Sequence, residues 1–440
     1  MSNEASSQHP TAGSRREFLK LSTASVVGSA LAGSLSIARS AHAAGDDTIK
    51  IALIGCGGRG TGAANQALST KGQVKLIAMA DAFADRLQSS LQSLKNAKGD
   101  QVDVPAERQF VGFDAYQKAI DAGPDLVVLA TSPGFRSIHL EAAIKAGKHV
   151  FMEKPVAVDG AGVQQVLAAT EEAKKKKLAI GVGLQRHHQA KYIETIKRLQ
   201  DGAIGDLVYS RVYWNGAGVW VKPRVPGESE MTYQMRNWYY FNWLCGDHIV
   251  EQHIHNLDVI NWLTGKYPLE AKGMGGRQVR VAKEFGQIFD HHAVEFDYGD
   301  STMISQCRHI PNCWDSVSEH VAGTKGTCDI SGGRIMGENS WSYGSAKDDR
   351  DPYQVEHDVL FESIRSGNPI NEGEYGAKSS MTAILGRLAT YSGKPVKWEE
   401  ALRSRVIPAD QKYSFDATPP VLPDENGFYP VAIPGVTQVV

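Results

Sequence analysis

The sequence is poor in cysteine, has no surplus of basic charge and contains no long apolar run. Five cysteines (Cys56, Cys245, Cys307, Cys313 and Cys328) stand among 440 residues, an odd number without tight spacing. That excludes a disulfide framework and a cysteine-rich zinc site. Lys+Arg number 47 against 49 Asp+Glu, a net charge of −2, so nothing is left over to neutralise a phosphate backbone and nucleic acid is not an expected partner. No stretch reaches the ~20 strongly apolar residues of a membrane span. No internal repeat is evident. What is there, 42% hydrophobic and 22% charged residues, is the composition of a soluble globular chain long enough for two cores.

The first forty-odd residues read as an address. Ser14-Arg15-Arg16-Glu17-Phe18-Leu19-Lys20 has the pattern of a twin-arginine export signal, and Leu21 to Ile37 is only mildly apolar. Ala41-His42-Ala43 supplies an A-x-A cleavage site, so residues 1–43 are expected to be removed and the mature protein to reside in the periplasm or otherwise outside the cytoplasm, exported by the twin-arginine machinery without stable membrane insertion.

Residues 46–184 read as a dinucleotide-binding domain. The apolar run Ile49 to Ile54 leads directly into Gly55-Cys56-Gly57-Gly58-Arg59-Gly60, after which Thr61 to Leu68 looks helical. Val74 to Ala80 is a second strand ending at Asp81. Gly55, Gly57 and Gly60 permit a tight turn, close approach of a pyrophosphate and close helix–strand packing. The phosphates would sit at the helix N-terminus beside Gly58 and Arg59, where unpaired N–H groups and the dipole favour anions. Asp81 places a carboxylate where a ribose 2′-hydroxyl belongs, which favours NAD over NADP. The alternation continues through strands at Asp125 to Ala130 and His149 to Met152, with Thr131-Ser132-Pro133, His139 and Glu153-Lys154-Pro155 at their ends. The strand ends should line one crevice.

In that order the motifs resemble the Gfo/Idh/MocA oxidoreductase superfamily (glucose–fructose oxidoreductase, inositol dehydrogenase and rhizopine catabolism proteins). Gly55 to Gly60, Asp81, Thr131-Ser132-Pro133 with His139, Glu153-Lys154-Pro155, Gly183-Leu184-Gln185-Arg186-His187 and Gly202 to Leu207 follow the family's succession. The resemblance implies an α/β fold: an N-terminal Rossmann NAD(P)-binding domain, then an α+β domain over 185–395 with a large, mostly antiparallel open sheet that often makes oligomer contacts. A homo-oligomer is therefore expected. The tail 396–440, rich in proline from Thr418 onward, is expected to be an extended arm across a neighbouring surface or subunit.

Lys154 also stands out physically. Pro155 disfavours helical backbone at the preceding residue, so Lys154 should be extended at a strand end, placed to take a hydroxyl proton while hydride leaves the same carbon. Read as a helix, Gly246 to Asp258 brings His248, Glu251, His255 and Asp258 near one face. By the family's pattern, His255 is the second proton-transfer residue, Glu251 its hydrogen-bond partner and Asp258 mainly structural. Two departures are visible: the acidic position is usually Asp, and His253 stands where Gly is common. Such a helix can also bind zinc, but the lysine and dinucleotide residues explain the same side chains, and no metal is expected.

Between Tyr213 and Trp243 nine of 31 residues are aromatic, against 8% for the chain. Most should be core, yet Asn237, Trp238 and Trp243, with Arg186 and His187, are candidates to hold a sugar ring, with its apolar faces and hydroxyl rim. The expected function is an exported NAD(P)-dependent oxidoreductase acting on CH–OH groups of a sugar or cyclic polyol, its nicotinamide tightly bound because free NAD is scarce outside the cytoplasm. Two alternatives stand beside it: an NAD-dependent glycosidase working by oxidation, elimination and reduction, and a non-catalytic nucleotide-binding sensor or scaffold.

Overall fold

Two sheets share one continuous core. The computed structural model describes residues 48–344 and 349–440, so the export signal lies outside the described residues. The first sheet comprises β1 (Ile49–Ile54), β2 (Val74–Asp81), β3 (Gln109–Val111), β4 (Leu126–Leu129), β5 (His149–Met152) and β6 (Ile180–Val182). All pairings in it are parallel, in the order β3-β2-β1-β4-β5-β6. Parallel strands are covered on both faces, and the near-continuous apolar runs of β1, β4 and β5 are what that burial requires. The expected strands and helices appear here with ends shifted by a few residues: the glycine-loop helix spans Gly58–Ala67 and the helix after β5 spans Gly160–Lys176.

The second sheet is larger. It contains β7 (Leu207–Gly216), β8 (Glu270–Gly276), β9 (His291–Asp297), β10 (Thr302–His309), β11 (Ser316–Gly323), β12 (Gly326–Asp329), β13 (Arg334–Gly337), β14 (Trp341–Ser342) and β15 (Val396–Lys397). Their order is β14-β13-β12-β11-β7-β10-β9-β8-β15, antiparallel throughout except for the central β7–β10 pair. The α/β architecture with a mostly antiparallel second sheet is as expected.

Chain order and spatial layer part company after residue 350. Helix Pro352–Arg365 packs against the first sheet, its His357 ring 4.1 Å from that of Phe151. Helix Gly373–Ser392 is buried at every position from Ser379 to Ser392 and joins the two sheets. Its small residues make this possible. A Cβ at Gly376 would lie 3.0 Å from Val182 of β6, and one at Gly386 would lie 2.7 Å from Phe296 of β9 and 3.0 Å from Ile249. The core accordingly runs from Ile54 and Met152 under one sheet to Ile249, Phe296 and Met381 under the other.

The tail follows the surface of its own chain. Its first residues form the edge strand β15 on β8. The remainder lies along its own chain: Phe415 contacts Phe113 and Phe83 with ring centroids 4.9 and 5.4 Å away, and Tyr429 contacts Phe241 at 4.8 Å. Apolar rings of the same molecule give the arm a surface to cover.

Because the Gly386 position is backed by Phe296 and Ile249, Gly386→Val should destabilise the fold by about 1–3 kcal/mol through overpacking. A denaturant midpoint unchanged from wild type would contradict this account of how the helix joins the sheets.

Candidate active site

The strand ends of the first sheet open into a cavity of about 720 Å³ whose other wall comes from the second half of the chain. Gly55, Gly57, Gly58, Arg59 and Gly60 line one end of it. Gly55 has φ +97°, and a Cβ on Gly60 would fall 1.9 Å from the Gly55 carbonyl oxygen, so these two positions exclude any side chain. At Gly57 and Gly58 a Cβ would meet nothing within 4 Å, which is the open face on which a pyrophosphate can settle. No side chain caps the helix start at Gly57, so its first amides are left for an anion. Asp81 stands at the end of β2, its carboxylate accepting the Cys56 amide at 2.6 Å and the Phe83 amide at 2.8 Å. Burial pushes the Asp81 carboxyl up, and those two amides oppose the shift. The glycine cradle, the uncapped helix start and a carboxylate fixed beside them together fit an NAD dinucleotide.

Thr131, Ser132, His139 and Glu153 line the next stretch of wall. His139 Nδ1 lies 3.2 Å from Thr131 Oγ1, and its ring stacks 4.2 Å from that of Tyr116. Burial lowers the His139 pKa to about 3, so this imidazole is neutral at any ordinary pH. Arg59 Nε pairs with Glu153 at 2.8 Å and its guanidinium sits 5.2 Å over the Tyr353 ring. Pro133 is not part of the wall. It is the first residue of helix Pro133–Lys145 and is buried, where its missing N–H and fixed φ suit a helix start.

At the far end, Lys154 follows β5 with a cis peptide bond to Pro155. Its Nζ donates to the Glu251 backbone carbonyl at 2.5 Å and to Glu251 Oε1 at 3.1 Å. This corrects the expected pairing of Glu251 with His255. Residues 246–258 are not one helix: His248–Glu251 and Ile254–Thr264 are separate helices, and the break at Gln252–His253 turns Glu251 toward Lys154. Burial raises the Glu251 carboxyl, offset by Lys154 and then Arg136, while its Oε2 has no hydrogen-bond partner. His255 also reaches the cavity, stacked on Trp214 with ring centroids 5.8 Å apart, and its Nδ1 is buried without a partner. Burial, then the charges of Lys154 and Arg186, push its pKa well down. The imidazole is neutral, with one nitrogen held in reserve.

Of the five candidate substrate residues, Arg186 and Trp238 line the cavity; His187, Asn237 and Trp243 do not. His187 Nε2 bonds Asp258 at 2.8 Å, and its ring lies between Trp262 and Tyr375 at 4.3 and 4.4 Å. Asn237 is a fully buried clamp, accepting the Lys222 amide at 2.9 Å and donating to the Glu284 carbonyl at 2.8 Å. Trp243 is core, its indole N–H donating to Gln234 at 2.7 Å. In each case a partner inside the fold satisfies the polar atom that a sugar would have used. Asp258 accepts from His187 and from Ser379 at 2.7 Å, which fixes the helix rather than the cavity.

Sequence reasoning missed Arg136, which lines the cavity with its guanidinium donating to the Pro155 carbonyl at 2.5 Å. Burial lowers it to about 10 against the opposing pull of Glu153 and Glu251. An arginine three residues before His139, on the same face of helix Pro133–Lys145, was the available signal. Trp220, Lys222, Met235 and Arg236 complete the outer rim, and Arg236 bridges to Asp85 with both nitrogens, at 3.0 and 3.1 Å.

With this geometry, the comparisons with known proteins are informative. Residues 49–183 match the Gfo/Idh/MocA family, described as an oxidoreductase family with an NAD-binding Rossmann fold. Inositol 2-dehydrogenase of Rhizobium meliloti (strain 1021) is 26% identical over 283 residues, covering 63% of this chain and 74% of that protein. The aldose–aldose oxidoreductase of Caulobacter crescentus, solved with glycerol, superposes with a TM-score of 0.62 at 22% identity, over 80% of this chain and 99% of that one. The scyllo-inositol dehydrogenase of Lactobacillus casei with NAD(H) and scyllo-inositol gives a TM-score of 0.61 at 22% identity, over 80% and 99%. Residues 49–183 are thus similar to the NAD-binding Rossmann domain of that family. The chain as a whole is an NAD-dependent oxidoreductase.

The neutrality of His255 is directly testable. Its imidazole carbon and nitrogen shifts should not titrate between about pH 5 and 8, since desolvation disfavours the charged ring. A titration near the ordinary histidine value would contradict the burial described here.

Proposed function

We propose that this protein oxidises a secondary alcohol of a sugar or cyclic polyol outside the cytoplasm, with NAD held in the cavity through the cycle. The observation that carries the reading is the Lys154–Glu251 contact at the cavity's inner end, beside an unpartnered, neutral His255 and the Trp214 face. When bound, NAD supplies a hydride acceptor for the carbinol carbon. The chain's own residues manage the proton and the pose.

Lys154 is the group placed to take the hydroxyl proton, since its amine is anchored rather than free to swing into solvent. Glu251 stands ready to share it. Burial raises that carboxyl, and its 3.1 Å contact with the amine gives a proton a path between the two groups. His255 offers its spare nitrogen to a neighbouring hydroxyl, which fixes which carbon faces the nicotinamide. Trp214 supports an apolar ring face. Arg136 and Arg186 neutralise the buried acids, Arg186 through its ion pair with Glu319.

The export pattern at Ser14 to Lys20 supports a further part of the reading. A cofactor carried out with the folded protein must be regenerated where it is, so a second sugar or polyol returns the hydride. The aldose–aldose enzyme among the structural neighbours has a name consistent with such an exchange.

The test begins with protein from the exported fraction, purified without added nucleotide. Mass spectrometry of released ligand should find NAD, and polyols added to the intact protein should raise absorbance near ~340 nm, reversed by a second sugar. Lys154→Ala should keep the nucleotide and lose about 10²–10⁴ in turnover. An empty site, or release of the aglycone from a chromogenic glycoside with no net reduction of the bound NAD, would overturn the reading, the latter in favour of the oxidation–elimination–reduction glycosidase.

A further inference from the structure

A second polar cluster lies beneath the segment that carries Glu251, away from the cavity, and the oxidoreductase reading makes no use of it. Asp247, His248 and His292 are all fully buried, and their candidate donor atoms lie within 4.8 Å of one another. Asp247 is a non-glycine residue at φ 75°, a backbone conformation that aspartate adopts only under constraint. The constraint orients its carboxylate. Oδ2 accepts the Phe289 amide at 3.0 Å and the Tyr391 hydroxyl at 2.5 Å. Oδ1 accepts the His248 amide and is turned toward the two imidazoles.

The imidazoles approach Oδ1 without bonding to it. His248 Nδ1 is 2.8 Å away and His292 Nε2 is 3.4 Å away, yet neither nitrogen makes a hydrogen bond, and His248 Nε2 has no partner either. For His292 the tautomer can be worked out. Thr390 Oγ1 donates its own hydrogen to the Arg387 and Gly386 carbonyls at 2.9 and 3.2 Å, so it accepts from His292 Nδ1 at 2.9 Å. The proton of a neutral His292 is therefore on Nδ1. Its Nε2 lone pair then faces the Asp247 carboxylate oxygen at 3.4 Å in a buried interior. The nearby Arg387 donates through Nη1 to the Gly246 carbonyl at 3.0 Å, and its Nη2 makes no hydrogen bond to this carboxylate or to any other group.

A cation between the three groups resolves the arrangement. Off-axis approach of nitrogen to oxygen is what ligands show when they converge on a common ion rather than on each other. Ligands about 2.0–2.2 Å from zinc stand about 3.4 Å apart at the tetrahedral angle, which the 3.4 Å separation of His292 Nε2 from Oδ1 matches, while the 2.8 Å separation of His248 Nδ1 asks for a narrower angle. A metal-bound histidine usually donates its other N–H to a fixed acceptor, as His292 does to Thr390. Two imidazoles and one carboxylate suit a borderline transition ion and not calcium or magnesium, which take oxygen ligands.

We propose that Asp247, His248 and His292 bind one divalent transition-metal ion, with zinc the expected occupant. The ion would tie β9, through His292, and helix Gly373–Ser392, through Thr390 and Tyr391, to the turn from which Glu251 departs. Its role is to brace that turn; it takes no part in hydride or proton transfer.

The test is elemental analysis of the full-length protein purified without chelators or metal-affinity steps. One zinc per chain is expected, lost in His292→Gln and kept in the control His320→Gln on the partly exposed face of β11. Chelation of the wild type should lower its melting temperature, and cobalt added to the stripped protein should develop visible d–d absorption that His292→Gln lacks. These readouts need neither substrate nor activity, so they stand apart from the oxidoreductase reading. Wild-type protein that is metal-free as purified and takes up neither zinc nor cobalt would overturn the proposal, as would bound metal that persists in folded His292→Gln.

Discussion

The contact between Lys154 and Glu251 is the interaction on which the rest of the site depends. It joins residues 97 apart in sequence, one at a strand end of the nucleotide-binding sheet and the other on the short helix leading into the second half of the chain. Both groups are nearly buried, with side chains 11% and 9% exposed. Removing one partner from such a pair typically costs about 3–5 kcal/mol, because the other is left charged and desolvated. The pair therefore constrains the architecture as well as the chemistry: the cavity has its inner end only while the two parts of the chain are held together. Helix Gly373–Ser392, with its small residues against β6 and β9, supplies that attachment.

Electrostatics around the pair follow from the same closeness. At the cavity Glu153 is bound by Arg59 and Glu251 by Lys154, Asp81 is held by two backbone amides, and the lining Arg186 is bound by the buried Glu319 behind it. His255 is the exception, an imidazole with no acid beside it. That leaves it neutral and its nitrogen uncommitted. A site arranged in this way holds neutral, hydroxyl-rich ligands better than strongly charged ones, since few of its charges remain to be satisfied.

The nucleotide-binding half was legible in the sequence because backbone demands are local. Gly55 and Gly60 are glycines for steric reasons that a short motif expresses, and Asp81 is placed by the length of one strand–helix–strand unit. The second half was less so. The period of His248, Glu251 and His255 suggested one helix face, but the chain breaks at Gln252–His253, so His248 turns into the core while Glu251 and His255 reach the cavity from separate helices. His187, Asn237 and Trp243 have the chemistry of sugar ligands, and only the tertiary partners Asp258, Glu284 and Gln234 show that this chemistry is already used. For the tail, proline content announces an extended segment but not the aromatic surface that it follows.

The most direct test of the central claim is a crystal structure of the protein with NAD and a cyclic polyol such as scyllo-inositol. The account predicts the pyrophosphate over Gly57 and Gly58, a ribose hydroxyl on Asp81, and the carbinol oxygen within hydrogen-bond reach of Lys154 with a neighbouring hydroxyl on His255. A nicotinamide lying away from Lys154, or a polyol bound with no contact to either residue, would contradict it.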